Sequence, residues 1–149
     1  MDSCNRPTSI PEGLSLFRDP FAETSQIRVL GLSEDGRAWG ELTVTPESLN
    51  PHGMVHGGCL STLADAVTGW GVYTATRRHC VTASCSLSFL RPARGDREKI
   101  FCDAIPEKLG HKLCVYRAII SDDAGSTLAT GTYTFFLMED PDTEPAAPA

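Results

Sequence analysis

The stretch Gly57–Thr76 carries one charge along its whole length, Asp65. Leu60, Leu63, Ala64 and Val67 fall on one helical stripe that Gly71 continues, so the spacing predicts a helix with that face in a core. Asp65 lies off the stripe, among Ser61, Thr62, Gly69 and Val72. A helix so nearly neutral all round is expected to be covered on every side, by a sheet or by another subunit. A lone carboxylate in such surroundings is costly unless it is hydrogen-bonded or has chemical work to do. The helix is entered through a loop rich in glycine and histidine, Asn50-Pro-His-Gly-Met-Val-His56-Gly57-Gly58.

The rest of the chain reads as a scaffold around this helix. Ile27, Val29 and Leu30 suggest a strand, Asp35-Gly36 a hairpin turn, and Ala38 to Val44 the returning strand. Pro46 to Gly53 reads as a loop. Arg77 and Arg78 close the helix, where cations suit the negative end of its dipole. The period then changes to two, with Val81, Ala83, Cys85, Leu87 and Phe89 on one face and Thr82, Ser84, Ser86 and Ser88 on the other. Arg94-Gly95-Asp96 turns the chain into further strands at Lys99 to Ile105, Leu113 to Ile120 and Thr127 to Met138, separated by turns at Leu109-Gly110 and Asp122 to Gly125. Residues 1 to 10 read as a loose leader, and Ile10 to Phe17 as a short helix ended near Pro20. From Glu139 the tail is acidic and rich in Pro and Ala, and is expected to be disordered. The result is one domain over residues 1–138 of α+β class, a curved antiparallel sheet wrapped around one long central helix. A single sheet leaves the helix's outer face open, so a second copy of the chain is expected to cover it.

Length and charge narrow the possible functions. A chain of 149 residues suffices for one domain with one core. The formal net charge of -6 argues against a general binder of nucleic acid or of anionic membranes. No apolar run approaches the ~20 residues of a membrane span. The start of the chain, with Asp2, Asn5, Arg6 and Pro7, lacks an apolar signal segment, which points to the cytoplasm. The six cysteines form no C-x-x-C pair and are expected to act as small hydrophobes in a reducing compartment. His52 and His56 sit in a Gly/Pro loop without matching ligand spacing, so no metal is expected. Cys59 lacks the His–Asn pattern that would activate a thiol nucleophile.

The pattern Asn50-Pro51, Gly53, His56-Gly57-Gly58 followed by Leu63-x-Asp65 resembles the hot-dog-fold acyl-CoA thioesterases, specifically their phenylacetate-pathway, PaaI-like branch. The resemblance spans about Phe21 to Met138. It implies that Asp65 is the catalytic carboxylate, as nucleophile or as general base on water. It implies that the Gly57 backbone N–H polarises the thioester carbonyl, and that Asn50 lies near that carbonyl or the attacking water. Thr82 stands where some relatives carry a Ser that positions the water. The same fold also hosts hydratases and dehydratases, in which His56 would pair with Asp65, and non-catalytic acyl-CoA-binding proteins. No cofactor is implied beyond coenzyme A as part of the substrate. Gly58, Arg91, Arg94, Lys108 and Lys112 are candidates for contacting coenzyme A, the cations through its phosphates.

The implied roles agree with elementary chemistry. A thioester carbonyl under attack develops oxyanion charge, which free amides at a helix N-terminus stabilise. Gly57 and Asp65, however, are eight residues apart, ~12 Å of helical rise. They cannot both reach one carbonyl from the same helix. Gly57 of one subunit would have to work with Asp65 of another, in a homodimer or a dimer of dimers.

Overall fold

The computed structural model describes residues 5–139. A short helix α1 (Pro20–Thr24) leads into strands β1 (Ile27–Leu32) and β2 (Ala38–Thr43), followed by one 3₁₀ turn at Pro46–Ser48 and the long helix α2 (Gly57–Thr76). Strands β3 (Cys80–Phe89), β4 (Lys99–Leu109), β5 (Leu113–Asp122) and β6 (Thr127–Leu137) complete the chain. All six strands form one antiparallel sheet in the order β1-β2-β4-β5-β6-β3, and α2 touches every strand of it. This is the hot-dog arrangement, with the helix as filling. No helix among the described residues is long and apolar enough to cross a membrane.

The predicted stripe is the face that the sheet grips. Leu60, Leu63, Ala64 and Val67 are at most 2% exposed and pack with Leu42, Ile100, Tyr116 and Tyr133. Full burial of a side chain such as Leu or Val contributes about 1.5–3 kcal/mol. Gly71 continues the stripe because nothing larger fits: a Cβ there would lie 2.5 Å from the Gly36 carbonyl oxygen. That carbonyl caps the β1–β2 hairpin onto the helix and accepts a 2.7 Å hydrogen bond from the Tyr116 hydroxyl. Buried Thr68 and Thr74 satisfy their hydroxyls on the carbonyls of Ala64 and Trp70, four residues back. The helix thus buries polar side chains without needing charged partners.

Three expectations require correction. Pro20 does not end a helix over Ile10–Phe17; it begins α1, with the Asp19 carboxylate accepting from the Ala22 amide as N-cap. Proline at a first helical position loses no hydrogen bond, and its fixed φ suits the helix, so it is a better starter than stopper. Residues 5–10 are not a loose leader. The Arg6 guanidinium grips Asp103 of β4 through two hydrogen bonds of 2.7 and 2.6 Å, and the Leu32 amide donates to the Ser9 carbonyl at 3.0 Å. Residues 1–4 and 140–149, including most of the acidic tail, lie outside the described residues.

The third correction concerns β3. A β-bulge between Thr82 and Ser84 leaves Ala83 unpaired. Cross-strand partners share a face, and Thr82, Cys85 and Phe89 stand opposite the buried residues Phe135, Tyr133 and Ala129. Thr82 therefore looks toward the helix together with Cys85, Leu87 and Phe89, while Ser84, Ser86 and Ser88 look away. Simple alternation had put Thr82 on the opposite face from Phe89; one extra residue re-aims it. β3 is also an edge of the sheet, and most of its ten residues are exposed.

Candidate active site

Two clusters of functional groups sit at different levels of α2. The first surrounds the helix N-terminus. His56 is the N-cap residue, and its Nδ1 accepts a 2.8 Å hydrogen bond from the Gly58 amide. The amides of Cys59 and Leu60 donate to the His56 carbonyl. Among the described residues, Gly57 is left as the one first-turn amide without a partner. It lines a cavity of about 350 Å³ shared with Asn50, Met54, Leu60, Phe89 and Arg91. The Phe89 ring lies against Gly57, where a Cβ would come 3.2 Å from its nearest carbon. Space, rather than an unusual φ, favours glycine at this position.

Asn50 combines two roles. Its Oδ1 accepts from the amides of His52 and Met54, which folds the loop into an Asx-type turn. Asn50 lines the same cavity, and its side-chain amino group has no hydrogen-bond partner among the described residues. The loop is pinned to the helix entry because the His56 amide donates to Ser48 and the Val55 amide to Ala93.

The second cluster centres on Asp65, two turns further along. The Thr82 hydroxyl donates a 2.5 Å hydrogen bond to Asp65 Oδ1, across from β3 to α2. Half-burial pushes the Asp65 carboxyl above the ordinary carboxylate range; the bond from Thr82 pulls it back, and the charge of Asp19 adds to the rise. A carboxylate with a raised pKa is a stronger base and nucleophile once ionised, and one oxygen stays open for reaction. The acid limb of a pH–rate profile is accordingly expected above the usual aspartate range. Thr82→Val removes the one interaction that favours the ionised form, so it should move that limb to higher pH. An unchanged limb in kcat/KM profiles of the two proteins would remove Thr82 from the site.

The other candidate residues lie in different places. Gly58 does not line the Gly57 cavity, and its amide is occupied by His56. Arg91 lines the Gly57 cavity; Arg94 bridges to Met54 in the loop, but its guanidinium pairs with Asp96 at 2.8 Å. Lys108 and Lys112 flank the β4–β5 turn, which Arg78 ties to the C-terminal end of α2 through the His111 carbonyl, so within one chain they lie at the far end from Gly57. The Cys59 thiol donates to the Ser48 carbonyl and burial pushes its pKa up, which disfavours a thiolate. Among the described residues, no three His, Cys, Asp or Glu side chains gather as a metal ion would require. Phe89 and Asp19 were missed by the sequence reading; an apolar strand residue and an Asp before Pro carry no distinguishing pattern.

Comparison with known proteins places this geometry in context. The sequence profile of the thioesterase superfamily matches residues 52–129. A Deinococcus radiodurans protein named as a candidate esterase is 36% identical over 110 residues, covering 74% of this chain and 69% of that protein. The structure of the E. coli PaaI protein, from the phenylacetic acid degradation operon, superposes with a TM-score of 0.75 at 27% identity, covering 80% of this chain and 85% of that one. A Streptococcus pneumoniae protein described as a hypothetical thioesterase, its structure holding coenzyme A, gives 0.70 at 26% identity, covering 75% and 88%.

Proposed function

Because the chain belongs to the thioesterase superfamily and is a thioester hydrolase, we propose that it hydrolyses an aryl- or medium-chain acyl-CoA to the free acid and coenzyme A. The observation that carries this reading is the free Gly57 amide at the N-terminus of α2, opening into a cavity flanked by Arg91. The amide is suited to the oxyanion that forms when a thioester carbonyl is attacked. Arg91 suits the anionic carrier. The coenzyme A held by the Streptococcus relative supports the same substrate class.

Asp65, oriented by Thr82, is the reactive carboxylate in this reading. As general base it takes a proton from water while the oxygen adds to the carbonyl carbon. As nucleophile it forms an acyl-carboxylate anhydride that water then opens. In either case the tetrahedral intermediate collapses by breaking the C–S bond, and the thiolate leaves to be protonated. No metal or redox cofactor enters this reading.

The site is completed by a second subunit. α2 is helical from Gly57 to Thr76, so the two groups are ~12 Å apart along one helix. β3 offers a ten-residue exposed edge without proline or lysine, the devices by which monomers protect such edges. Phe89 touches Gly57 at one end of β3, and Thr82 holds Asp65 near the other. Antiparallel pairing of β3 with its copy, centred on Ser86 and with Ala83 bulged out, sets Phe89 of one chain beside Thr82 of the next. That pairing unites each Gly57 with the other chain's Asp65, in a homodimer or a dimer of such dimers.

A panel of acyl-CoAs assayed with a thiol reagent tests the reading. Release of thiol from phenylacetyl-, benzoyl- or hexanoyl-CoA supports it. Hydration of an enoyl-CoA without thiol release would favour the hydratase alternative, and binding without turnover the non-catalytic one. The hydratase alternative requires His56 as a base, yet its Nδ1 is committed to the Gly58 amide. His56→Asn substitutes a preferred N-cap residue, and is expected to keep kcat within about threefold of wild type, with a stability change under about 1 kcal/mol. A kcat drop of several hundredfold with the fold intact would make His56 a catalytic base instead.

A further inference from the structure

A second cavity, of about 190 Å³, opens between α2 and the N-terminal segment. Leu16 and Phe17 form one wall, Ala66 and Trp70 of α2 the other, and Asp19 stands beside them. Phe17 and Trp70 stack with ring centroids 4.4 Å apart at 22°. A dry cavity of roughly 150 Å³ accommodates benzene, so this one suits a single ring or a short alkyl chain. The charge of Asp19, which lines this cavity, reaches the Asp65 carboxylate, so the cavity lies within electrostatic range of the reactive group. The stack on Trp70 holds Phe17 in this wall, and the segment ahead of it is tied down where Arg6 grips Asp103 and Ser9 accepts from Leu32.

The charges around this cavity are unequal. Glu23 is paired with Arg18 at 2.7 Å, and Arg28 with Glu41 at 2.8 Å. Asp19 has no cationic partner among the described residues; its carboxylate accepts a hydrogen bond from the Ala22 amide. Its charge is also felt at Asp65. The local field is therefore negative, whereas the cavity at Gly57 carries Arg91. An anionic coenzyme A arm suits the Gly57 side, which leaves this cavity for the other end of the substrate.

We propose that the cavity between Leu16–Asp19 and Ala66–Trp70 takes the acyl group, and that Asp19 selects neutral, ring-sized acyl chains over those ending in a carboxylate. The inference rests on thioester hydrolysis at Asp65. Asp19 acts through its field on the far end of the acyl chain, and a second carboxylate placed there meets repulsion from it across a partly desolvated space. Leu16 and Phe17 set the depth.

The test compares kcat/KM and KM for acetyl-, phenylacetyl-, hexanoyl- and glutaryl-CoA in wild type, Asp19→Asn, Leu16→Trp and Phe89→Ala. Wild type is expected to prefer phenylacetyl- and hexanoyl-CoA to glutaryl-CoA by about tenfold or more. Asp19→Asn should raise the glutaryl-to-hexanoyl ratio by about fivefold or more. Leu16→Trp should raise KM for phenylacetyl-CoA much more than for acetyl-CoA, by filling the space. Unchanged ratios in both variants, with Phe89→Ala altering the acyl profile, would overturn the assignment in favour of the Gly57 cavity. A second readout is independent of turnover. In a Trp39→Phe background, phenylacetamide should perturb Trp70 fluorescence at lower concentration than phenylacetate, and Asp19→Asn should narrow that difference. If no acyl-CoA is hydrolysed and this preference still holds, thioester hydrolysis fails while the pocket stands. If hydrolysis occurs and neither probe perturbs Trp70, the pocket fails while hydrolysis stands.

Discussion

Asp65→Asn is expected to lower kcat for acyl-CoA hydrolysis by roughly 10³-fold or more while the protein keeps its fold and its oligomeric state. Asparagine is nearly isosteric and its carbonyl oxygen still accepts from Thr82, so the loss isolates the negative charge. The accompanying stability change has a definite sign. Burial raises the Asp65 pKa in the folded state, so the folded protein binds this proton more tightly than the unfolded chain does. Stability is therefore lost as pH rises from the unfolded value through the raised folded one, and the deficit persists at neutral pH. The Asn variant escapes it. Its thermal midpoint at pH 7 should match or exceed that of wild type, and the advantage should shrink at pH values below ~4, where both forms are uncharged. Circular dichroism melts at pH 7 and pH 3.5 read this directly. Hydrolysis within tenfold of wild type would remove Asp65 from the chemistry, and a variant that melts well below wild type at pH 7 would contradict the burial argument.

Mixing two inactive variants should restore activity, if each site takes Gly57 from one subunit and Asp65 from another. Gly57→Pro deletes the amide hydrogen at the first helical position, where proline is well tolerated. The preceding residue, His56, has ψ 135°, which also suits a following proline. Loss of one oxyanion donor is expected to cost about 10²–10³-fold in kcat. The added ring also presses on Phe89, and Gly57→Ala is the control, since it presses on Phe89 too but keeps the N–H. The difference between the two variants reads the hydrogen bond itself. In a dimer built from one Asp65→Asn and one Gly57→Pro chain, one composite site is intact and the other carries both lesions. Random reassociation of equal amounts makes about half of the dimers hybrid, so roughly a quarter of wild-type activity should return. If activity stays at the level of the parents after subunit exchange has been verified, both groups belong to one chain, or the site is not composite.

Much of this molecule was legible in residue order. The run Gly57–Thr76, with its stripe of Leu60, Leu63, Ala64 and Val67 and its single charge, predicted the central helix and the face that is buried, because a 3.6-residue period reports directly on which side meets a core. The Asp35-Gly36 turn and the alternating runs predicted strands at their observed places, with β4 and β5 extending a few residues further than the pattern suggested. The Gly57–Asp65 spacing alone required that the two groups act at different levels, since helical rise per residue is fixed.

Other features depended on contacts between residues far apart in the chain. Local sequence cannot say that Arg6 finds Asp103, which turns an expected loose leader into an anchored segment, or that the charge of Asp19 is felt at Asp65. It cannot foresee the bulge at Ala83 either, because an unpaired residue is defined only against the register of β6. That bulge carries Thr82 to the helix side, within hydrogen-bonding distance of Asp65. Nor does a Gly-Gly pair reveal which amide stays free. His56 Nδ1 takes that of Gly58 and leaves that of Gly57, a choice made by side-chain geometry at the cap. Sequence by itself determined the periodic elements, which follow from local spacing, and its motif singled out Asp65 and Gly57 as the candidate reactive groups. Tertiary structure decided which groups face one another, because cross-strand register and close packing are set only when distant segments meet.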